Sequence, residues 1–297
     1  MNTTKGFVTL AVGHERYYKL AANLLKSYRL RVREHYPFAI FADRHNKYTA
    51  LFDKVIIIDQ PSFSYNDKLE LLNNPPFHYN IFIDADCLVY ENINSYWDYY
   101  TGVREHQAGV RCFGKSLPIS SRDGWFNIED IGEYKDLIYF IPQMHGGIIF
   151  FTNDTYTQRI YQQAKDIAKN YSKYKFKYFD KPADEPILAL CMAINNIHPI
   201  ELNATLSSLA YIFYPTAKDI RIKGKVDYSI DGKNWVSNVK LLHWQNIYTL
   251  SDVYWAEIKR LEGHSEFYIS VLQPFIRAYL LLQSLTKRII NKFKHIC

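Results

Sequence analysis

The chain of 297 residues is 48% hydrophobic and 22% charged, which is an ordinary composition for a globular protein. Its net charge of +6 is modest, and no motif of a DNA-binding or RNA-binding protein accompanies it, so we expect no nucleic-acid partner. The positive excess suits anionic ligands or lipid surfaces instead.

Targeting and cysteine patterns predict a protein that is neither secreted nor membrane-spanning. Residues 1–10 lack a basic stretch leading into a long apolar run, and no later segment has the roughly 18 apolar residues that cross a bilayer. The four cysteines show neither zinc-site spacing nor a disulfide framework. We therefore expect a cytoplasmic protein, either free or peripherally bound to the cytoplasmic face of a membrane.

Four short apolar runs of strand length mark the N-terminal third of the chain. They are residues 7–12, 38–42, 55–58 and 81–83. A segment of helical periodicity at 17–28 follows the first run. Near-continuous apolar runs separated by helical or turn-rich segments are typical of parallel strands buried on both faces. The sequence therefore predicts an α/β fold with an open sheet of the nucleotide-binding type.

The remainder of the chain is less regular. Residues 94–136 are polar and rich in turns, and strand character returns only at 148–151, so we expect the intervening stretch to face the substrate. Helical spacing follows at 155–174 and at 186–193, the second helix starting after two acidic residues that suit a helix N-terminus. The pair Asp231-Gly232 predicts the turn of a β-hairpin.

The tripeptide Asp84-Ala85-Asp86 directly follows the fourth apolar run. In extended backbone, residues two apart point the same way, so both carboxylates can face one space. Hard oxygen ligands suit Mg²⁺ or Mn²⁺ shared with phosphate oxygens, and open α/β sheets bind ligands beyond the carboxyl ends of their strands. The motif predicts a metal site for a nucleotide-sugar pyrophosphate; the alternative is a solvated surface pair.

Five segments resemble, in order, signatures of the family 8 glycosyltransferases, which include glycogenin-like and lipopolysaccharide galactosyltransferase-like enzymes. They are Phe7-Val8-Thr9-Leu10-Ala11, Tyr17, Lys26-Ser27, Lys68-Leu69 and Phe82-Ile83-Asp84-Ala85-Asp86-Cys87-Leu88-Val89. The resemblance is patchy but ordered, and it extends from residue 6 to about residue 255. It implies a GT-A fold, a UDP-sugar donor, Mn²⁺ or Mg²⁺, and retention of anomeric configuration.

The resemblance also implies a set of residues that contact the nucleotide-sugar. They are Thr9, Ala11, Tyr17, Lys68, Asp84, Ala85, His145, Gly146 and Gly147. Thr9 and Ala11 would lie under the nucleotide, and Tyr17 would stack on uracil. Tyr18 competes for that role because the chain has one extra residue before it. Lys68 would approach the phosphates or the sugar; its alternative is a solvated helix lysine.

The segment His145-Gly146-Gly147 is similar to an Asn-Ser-Gly segment of the family, which precedes an apolar strand and lets the sugar approach the backbone. Because His and Gly replace Asn and Ser here, we expect the donor-sugar contacts to differ. His145 would be a neutral hydrogen-bonding group or a turn residue.

Catalytic and metal roles follow from two further matches. Asp184-Glu185 resembles the family's Asp-Gln pair beside the reacting carbon, with a helix cap as the alternative. His243 resembles the histidine that completes metal coordination with Asp84 and Asp86, and an imidazole with two carboxylates suits Mn²⁺. The chain then departs from the family, because the pyrophosphate lysine after this histidine is missing. Either Lys240 or another cation substitutes, or the protein belongs to a divergent GT-A branch.

The C-terminal segment has no acidic residue from 271 to 297. Its five Lys and Arg residues punctuate an apolar pattern; they are Arg277, Lys287, Arg288, Lys292 and Lys294. This pattern predicts a basic amphipathic helix that anchors on anionic lipid or packs on the protein with its basic face in water. We expect a catalytic domain at 1–262, with its donor part at 1–95 and its acceptor-facing part at 96–262, and a helical segment at 263–297.

Together these features predict a metal-dependent transferase that moves a sugar from a UDP-sugar to a saccharide or lipid-linked saccharide acceptor in cell-surface glycan synthesis. The alternatives are an inverting enzyme of a divergent GT-A family, an inactive nucleotide-sugar-binding module, and a haloacid-dehalogenase-like phosphatase. The phosphatase motif also lies at a strand end, but it follows the first strand and requires Thr or Val where this chain has Leu88.

Overall fold

The computed structural model of the protein describes residues 4–101, 109–201, 209–211, 227–228, 236–237 and 239–294. The chain divides into two compact units, each assembled from separate segments. The first unit contains Met1–Leu25, Glu34–Ala85 and Asn94–Leu206. The second contains Lys26–Arg33, Asp86–Ile93 and Ser207–Cys297.

Strands and helices alternate along most of the chain. The strands are β1 (Lys5–Ala11), β2 (Phe38–Ala42), β3 (Lys54–Ile57), β4 (Tyr79–Ile83), β5 (Cys87–Val89), β6 (Val110–Leu117), β7 (Ile141–Thr152), β8 (Ile200–Glu201), β9 (Leu209–Tyr211), β10 (Asp227–Tyr228), β11 (Val236–Ser237) and β12 (Leu241–His243). The α-helices are α1 (Glu15–Arg31), α2 (Tyr96–Thr101), α3 (Thr155–Lys169), α4 (Asp184–Ile194), α5 (Gln245–Tyr248), α6 (Asp252–Leu261) and α7 (Glu266–Lys294).

The first unit is built on a mostly parallel sheet of seven strands in the order β3-β2-β1-β4-β7-β6-β8. Strand β1 pairs in parallel with β2 on one side and with β4 on the other. Strand β7 is antiparallel to both of its neighbours, β4 and β6. The chain therefore extends the sheet in one direction from β1 to β3 and returns to the other side of β1 with β4. Open α/β sheets bind ligands beyond the carboxyl ends of the strands at such a reversal.

The predicted α/β class is confirmed, and the four predicted N-terminal strands are present. Strands β2 and β4 lie inside the sheet, and their apolar residues are almost completely buried. Strand β3 lies at the edge of the sheet, and two of its four residues are exposed. Burial on both faces explains why the sequences of β2 and of residues 81–83 in β4 are continuously apolar and do not alternate between apolar and polar residues.

The prediction that strand structure returns only at 148–151 is wrong. Strand β6 lies within the stretch predicted to be turn-rich, and β7 begins at Ile141, seven residues before its apolar core. Strand β6 and the first part of β7 contain residues that weaken the sequence pattern of a strand, including Arg111, Gly114 and Pro142. The pairing of β6 with β7 compensates, since tertiary context overrides local propensity in sheets.

Two helices and a 3₁₀ helix pack beside this sheet. Helix α3 is preceded by its N-cap residue Asp154, whose carboxylate accepts a hydrogen bond from the Thr157 amide, and the helix carries a buried apolar face. Helix α4 is almost wholly buried and packs against β7. It begins at Asp184, two residues earlier than predicted. The 3₁₀ helix Tyr65–Leu72 contacts both α3 and α4.

The second unit contains a three-stranded sheet in the order β5-β12-β9 and the helices α6 and α7. Strand β12 is antiparallel to β5 and parallel to β9. Strands β10 and β11 pair in the antiparallel manner that the predicted hairpin requires, although its turn at Asp231-Gly232 lies outside the described residues. In the described part of the chain, none of the helices combines the length and apolar content needed to cross a membrane.

The β6–β7 pairing shifts register between Cys112 and Gly114, and Gly114 then lies opposite Met144. A Cβ atom at Gly114 would lie 2.2 Å from the Gln143 carbonyl oxygen, which is backbone and moves only with the strand. We expect Gly114→Ala to lower the free energy of unfolding by about 1–3 kcal/mol because the two strands must separate locally. Urea denaturation followed by circular dichroism measures this.

The exposed residue Ser120 offers a control in the loop after β6. Ser120→Ala should unfold at the same urea concentration as the wild type. Equal stability of the Gly114 variant and the wild type would contradict the close strand approach.

Candidate active site

Polar groups follow the parallel strands where they end at the central reversal of the sheet. Gly13 lies two residues beyond β1, Asp43 directly follows β2, and Asp84 directly follows β4. Gly13 has a positive φ of 78° and donates its amide to Asp43 Oδ1 at 3.0 Å. Because carboxyl ends of parallel strands share one edge, these residues lie at the edge where open α/β sheets generally bind ligands.

The centre of the site is the Lys68 cluster, defined as Lys68, Asp84, Gly146, Asp184 and Glu185. The Lys68 ammonium lies 3.1 Å from Asp84 Oδ1 and 2.8 Å from Asp184 Oδ2, and it donates to the Gly146 carbonyl at 3.2 Å. Its side chain is only 12% exposed. One cation thus joins residues from three other segments, and the alternative of a solvated helix lysine is wrong.

The glycine of the cluster is fixed by close contacts on both sides of its peptide backbone. The Gly146 amide donates to Glu185 Oε1 at 2.7 Å, and its neighbour Gly147 accepts a hydrogen bond from the Asp84 amide at 3.0 Å. A Cβ atom at Gly146 would lie 2.8 Å from Asp184 Oδ2 and from Glu185 Cγ. Only glycine leaves room for both carboxylates at this point of β7.

The electrostatics of the cluster balance burial against charge pairing. Burial disfavours the ammonium form of Lys68, but the charges of Asp184 and Asp84 outweigh it and raise the pKa above its usual value. Burial raises the pKa of Glu185 to about 7, and the neighbouring Asp184 charge adds to this rise. The cluster therefore contains a firmly charged lysine beside a carboxyl group that can exchange a proton near neutral pH.

The 3₁₀ helix that carries Lys68 is held in position by helix α3. Its Glu70 accepts hydrogen bonds from Tyr161 at 2.9 Å and from Lys165 at 2.8 Å, both on α3. The Lys68 ammonium also lies over the ring of Phe82, 5.3 Å from its centroid. Helix α3 and strand β4 thus both contribute to the position of the lysine.

In the second unit, Asp86 and His243 form a separate pair of donors. His243 Nε2 lies 3.0 Å from Asp86 Oδ1, and the Trp244 amide donates to the Asp86 carbonyl at 3.0 Å. The β5–β12 register places His243 opposite the buried Cys87. Ligand atoms of Asp86, Cys87 and His243 lie within 4.8 Å of one another, so these three residues can hold a metal ion.

No protein-family model matches this chain, and no curated protein matches it. The assignment of a function therefore depends on the chemistry of these residues.

The other predicted donor-site residues occupy different environments. Thr9 and Ala11 are buried in β1, whereas Tyr17 is 39% exposed in the first turn of α1. The competing Tyr18 is 1% exposed, and its hydroxyl group donates to Asp43. Tyr17 is therefore the tyrosine that is accessible for stacking.

Two local expectations need correction. The backbone at Ala85 and Asp86 forms a turn between β4 and β5, so the alternation of an extended strand does not apply to Asp84 and Asp86. The segment His145-Gly146-Gly147 lies inside β7 and not before it. His145 is thus not a turn residue; its Nδ1 accepts a hydrogen bond from the Gly147 amide at 3.0 Å.

Sequence reasoning missed Asp43 and Arg44. The Arg44 guanidinium donates to Asp43 Oδ2 at 2.9 Å and to the Gly13 carbonyl at 2.6 Å, and it lies over the ring of Tyr18. Asp43 directly follows an apolar strand, which is the same signal that identified Asp84. A carboxylate directly after the apolar strand β2 is therefore a sequence signal that identifies Asp43.

Replacement of Lys68 by methionine tests the buried charge balance. Lys68→Met keeps much of the side-chain volume but removes the buried ammonium group that lies beside Asp84 and Asp184, so we expect a loss of about 3–5 kcal/mol in the free energy of unfolding at pH 8. Urea denaturation measures this loss. The matched control is Lys135→Met, which removes an exposed lysine 2.7 Å from Glu129 and should change stability little. Equal losses in the two variants would contradict the role of burial.

The raised pKa of Glu185 predicts a pH-dependent stability. Between about pH 4.5 and 7 the unfolded state loses the Glu185 proton while the folded state retains it, so this group destabilises the fold as pH rises. Glu185→Gln removes the effect and keeps an oxygen acceptor for Gly146. We expect its stability relative to wild type to rise by up to about 3 kcal/mol from pH 4.5 to pH 8.

Thermal or urea denaturation at both pH values gives this difference. The exposed Glu34 supplies a control, since Glu34→Gln should give the same difference from wild type at both values. A pH-independent effect of Glu185→Gln would show that the carboxyl group titrates normally.

Proposed function

We propose that the protein is a metal-dependent glycosyltransferase that moves a sugar from a UDP-sugar to a saccharide or lipid-linked saccharide acceptor in cell-surface glycan synthesis. The observation that carries the proposal is the Lys68 cluster. Its residues come from segments that resemble the donor-site signatures of family 8 glycosyltransferases, and they contact one another directly. A mostly parallel seven-stranded sheet flanked by helices is compatible with the GT-A fold.

The residues available for a metal ion support this assignment. A carboxylate and an imidazole 3.0 Å apart, Asp86 and His243, suit Mn²⁺. The thiol of Cys87 is a softer donor that would favour Zn²⁺. When bound, a divalent ion neutralises charge on the diphosphate of the donor and of the departing UDP.

The remaining residues have separable tasks. Tyr17 offers an exposed ring for the base, and the Lys68 ammonium supplies positive charge beside the donor phosphates or sugar. The absence of a side chain at Gly146 leaves room at the backbone, where the sugar can approach. Such preformed contacts position the donor and require little rearrangement during the reaction.

The acidic pair determines the chemistry at the reacting carbon. In a retaining reaction, Asp184 or Glu185 stabilises positive charge on the sugar or orients the acceptor hydroxyl. In an inverting reaction, one of them removes the acceptor proton, and a carboxyl group with a pKa of about 7 suits that role. Analysis of the product anomer distinguishes these two forms of the proposal.

Two observations disfavour the phosphatase alternative. Three strands precede β4, so Asp84 follows the fourth strand and not the first. Position 88, where the phosphatase motif has Thr or Val, is a fully buried leucine in β5. An inactive nucleotide-sugar-binding module would differ from the proposed enzyme only by its lack of activity toward UDP-sugars.

The proposal is tested by hydrolysis of a panel of UDP-sugars in the presence and absence of Mn²⁺. We expect slow, metal-dependent release of UDP by the wild type, and a decrease of about 100-fold or more in Asp86→Asn. Binding of Mn²⁺ and UDP, measured by calorimetry, should weaken in the same variant because a metal ligand is lost.

Two further variants sharpen the test. Asp98 is exposed on α2, so Asp98→Asn should retain wild-type activity. Asp184→Asn should lose sugar release while retaining metal-dependent UDP binding. If no donor is hydrolysed and UDP binding is independent of metal, the transferase proposal is wrong. Zn²⁺ binding that is lost in Cys87→Ser would instead assign the second-unit residues to a structural metal.

A further inference from the structure

Helix α7 presents an apolar face to solvent. Large apolar side chains recur along one side of it and are each about half exposed or more; they are Phe267, Val271, Phe275, Leu282 and Leu285, flanked by Tyr279 and Leu281. Their spacing of three, four or seven residues keeps them on one side of a helix. In a water-exposed helix, this side would normally be polar. Contiguous exposed apolar surface of this kind marks an interaction site.

The opposite side of α7 is fixed to the second unit by charged contacts. Arg260 of α6 forms two hydrogen bonds with Glu266, at 2.8 Å and 3.0 Å. Farther along, Gln273 and Arg277 both donate to Asp252, which is buried at the start of α6. These contacts set the rotation of α7 about its own axis, so its outward apolar side is built into the structure.

The two helices run antiparallel, and α7 is much longer. Asp252 is the first residue of α6, and it meets α7 at Arg277. The helical backbone continues from there to Lys294, about 25 Å farther at 1.5 Å per residue. This part of α7 lies beyond the first residue of α6.

Charge identifies the kind of surface that the apolar side fits. After Glu266 the sequence contains no acidic residue, and it contains five Lys and Arg residues, four of them within 287–294. A second copy of the chain would bring like charges together. An anionic lipid surface would instead neutralise them while burying the apolar side chains.

We propose that α7 is an interfacial helix that lies on an anionic membrane with the side defined by Phe267, Val271, Phe275, Leu282 and Leu285 in the lipid. This inference depends on α7 and its contacts alone, and not on the proposed transferase activity. If both hold, the membrane contact brings the enzyme to lipid-linked acceptors.

Vesicle flotation of the full chain tests the proposal without nucleotide or added metal. We expect binding to phosphatidylcholine vesicles that contain about one third phosphatidylglycerol, weakening with salt, and little binding to phosphatidylcholine alone. The double variant Phe275→Ser, Leu282→Ser should bind at least about tenfold less tightly, since two large side chains no longer enter the lipid. Lys287→Gln with Arg288→Gln should reduce binding to the anionic vesicles by about tenfold or more.

The matched control removes two exposed apolar side chains elsewhere, Leu137→Ser with Tyr139→Ser, and should bind like wild type. Circular dichroism confirms that each variant folds. Absence of binding to anionic vesicles, or equal binding to both vesicle types, would overturn the proposal. So would a dimer in solution that dissociates in the Phe275 and Leu282 variant, since the apolar side would then be covered by a second copy.

Discussion

The buried ammonium group of Lys68 is the interaction on which the candidate site depends. It lies within 3.2 Å of two carboxylates and a backbone carbonyl, and each of these groups would be costly to bury alone. Because those groups lie on different segments, one charge fixes the end of β4, the middle of β7 and the start of α4 relative to one another. The site is therefore organised by charge neutralisation inside a framework that apolar burial provides.

That framework and the site have different physical origins. The strands β1, β2 and β4 are stabilised by apolar burial and parallel pairing. Their order in the sheet places Gly13, Asp43 and Asp84, which follow the carboxyl ends of these strands, at one edge. The chemistry of the edge is supplied by irregular elements, namely a 3₁₀ helix, the middle of β7 and the first turn of α4. This division is common in α/β proteins, where the sheet positions groups that the connecting segments carry.

The sequence was sufficient for the parts of the fold governed by local pattern. Continuous apolar runs predicted β1 to β4, and periodicity predicted α1, α3 and α4. It was insufficient for β6, because a strand containing Arg111 and Gly114 is stabilised by its partner β7 and not by its own composition. Motif order identifies the residues of the Lys68 cluster, but their contacts arise from tertiary structure, since Lys68 and Asp184 are 116 residues apart in the sequence. The exposed side of α7 was equally hidden, since a helical pattern does not reveal which side is covered.

The interlocking of the Lys68 cluster has an evolutionary consequence. A change of charge at Lys68, Asp84 or Asp184 leaves an uncompensated charge in a largely buried space, so these positions cannot drift one at a time. Gly146 is tied to them because any side chain there would meet a carboxylate. Related chains should therefore either keep the whole set or replace it together, whereas the exposed pair of Glu129 and Lys135 is free to vary. We therefore expect the cluster to be inherited as a unit.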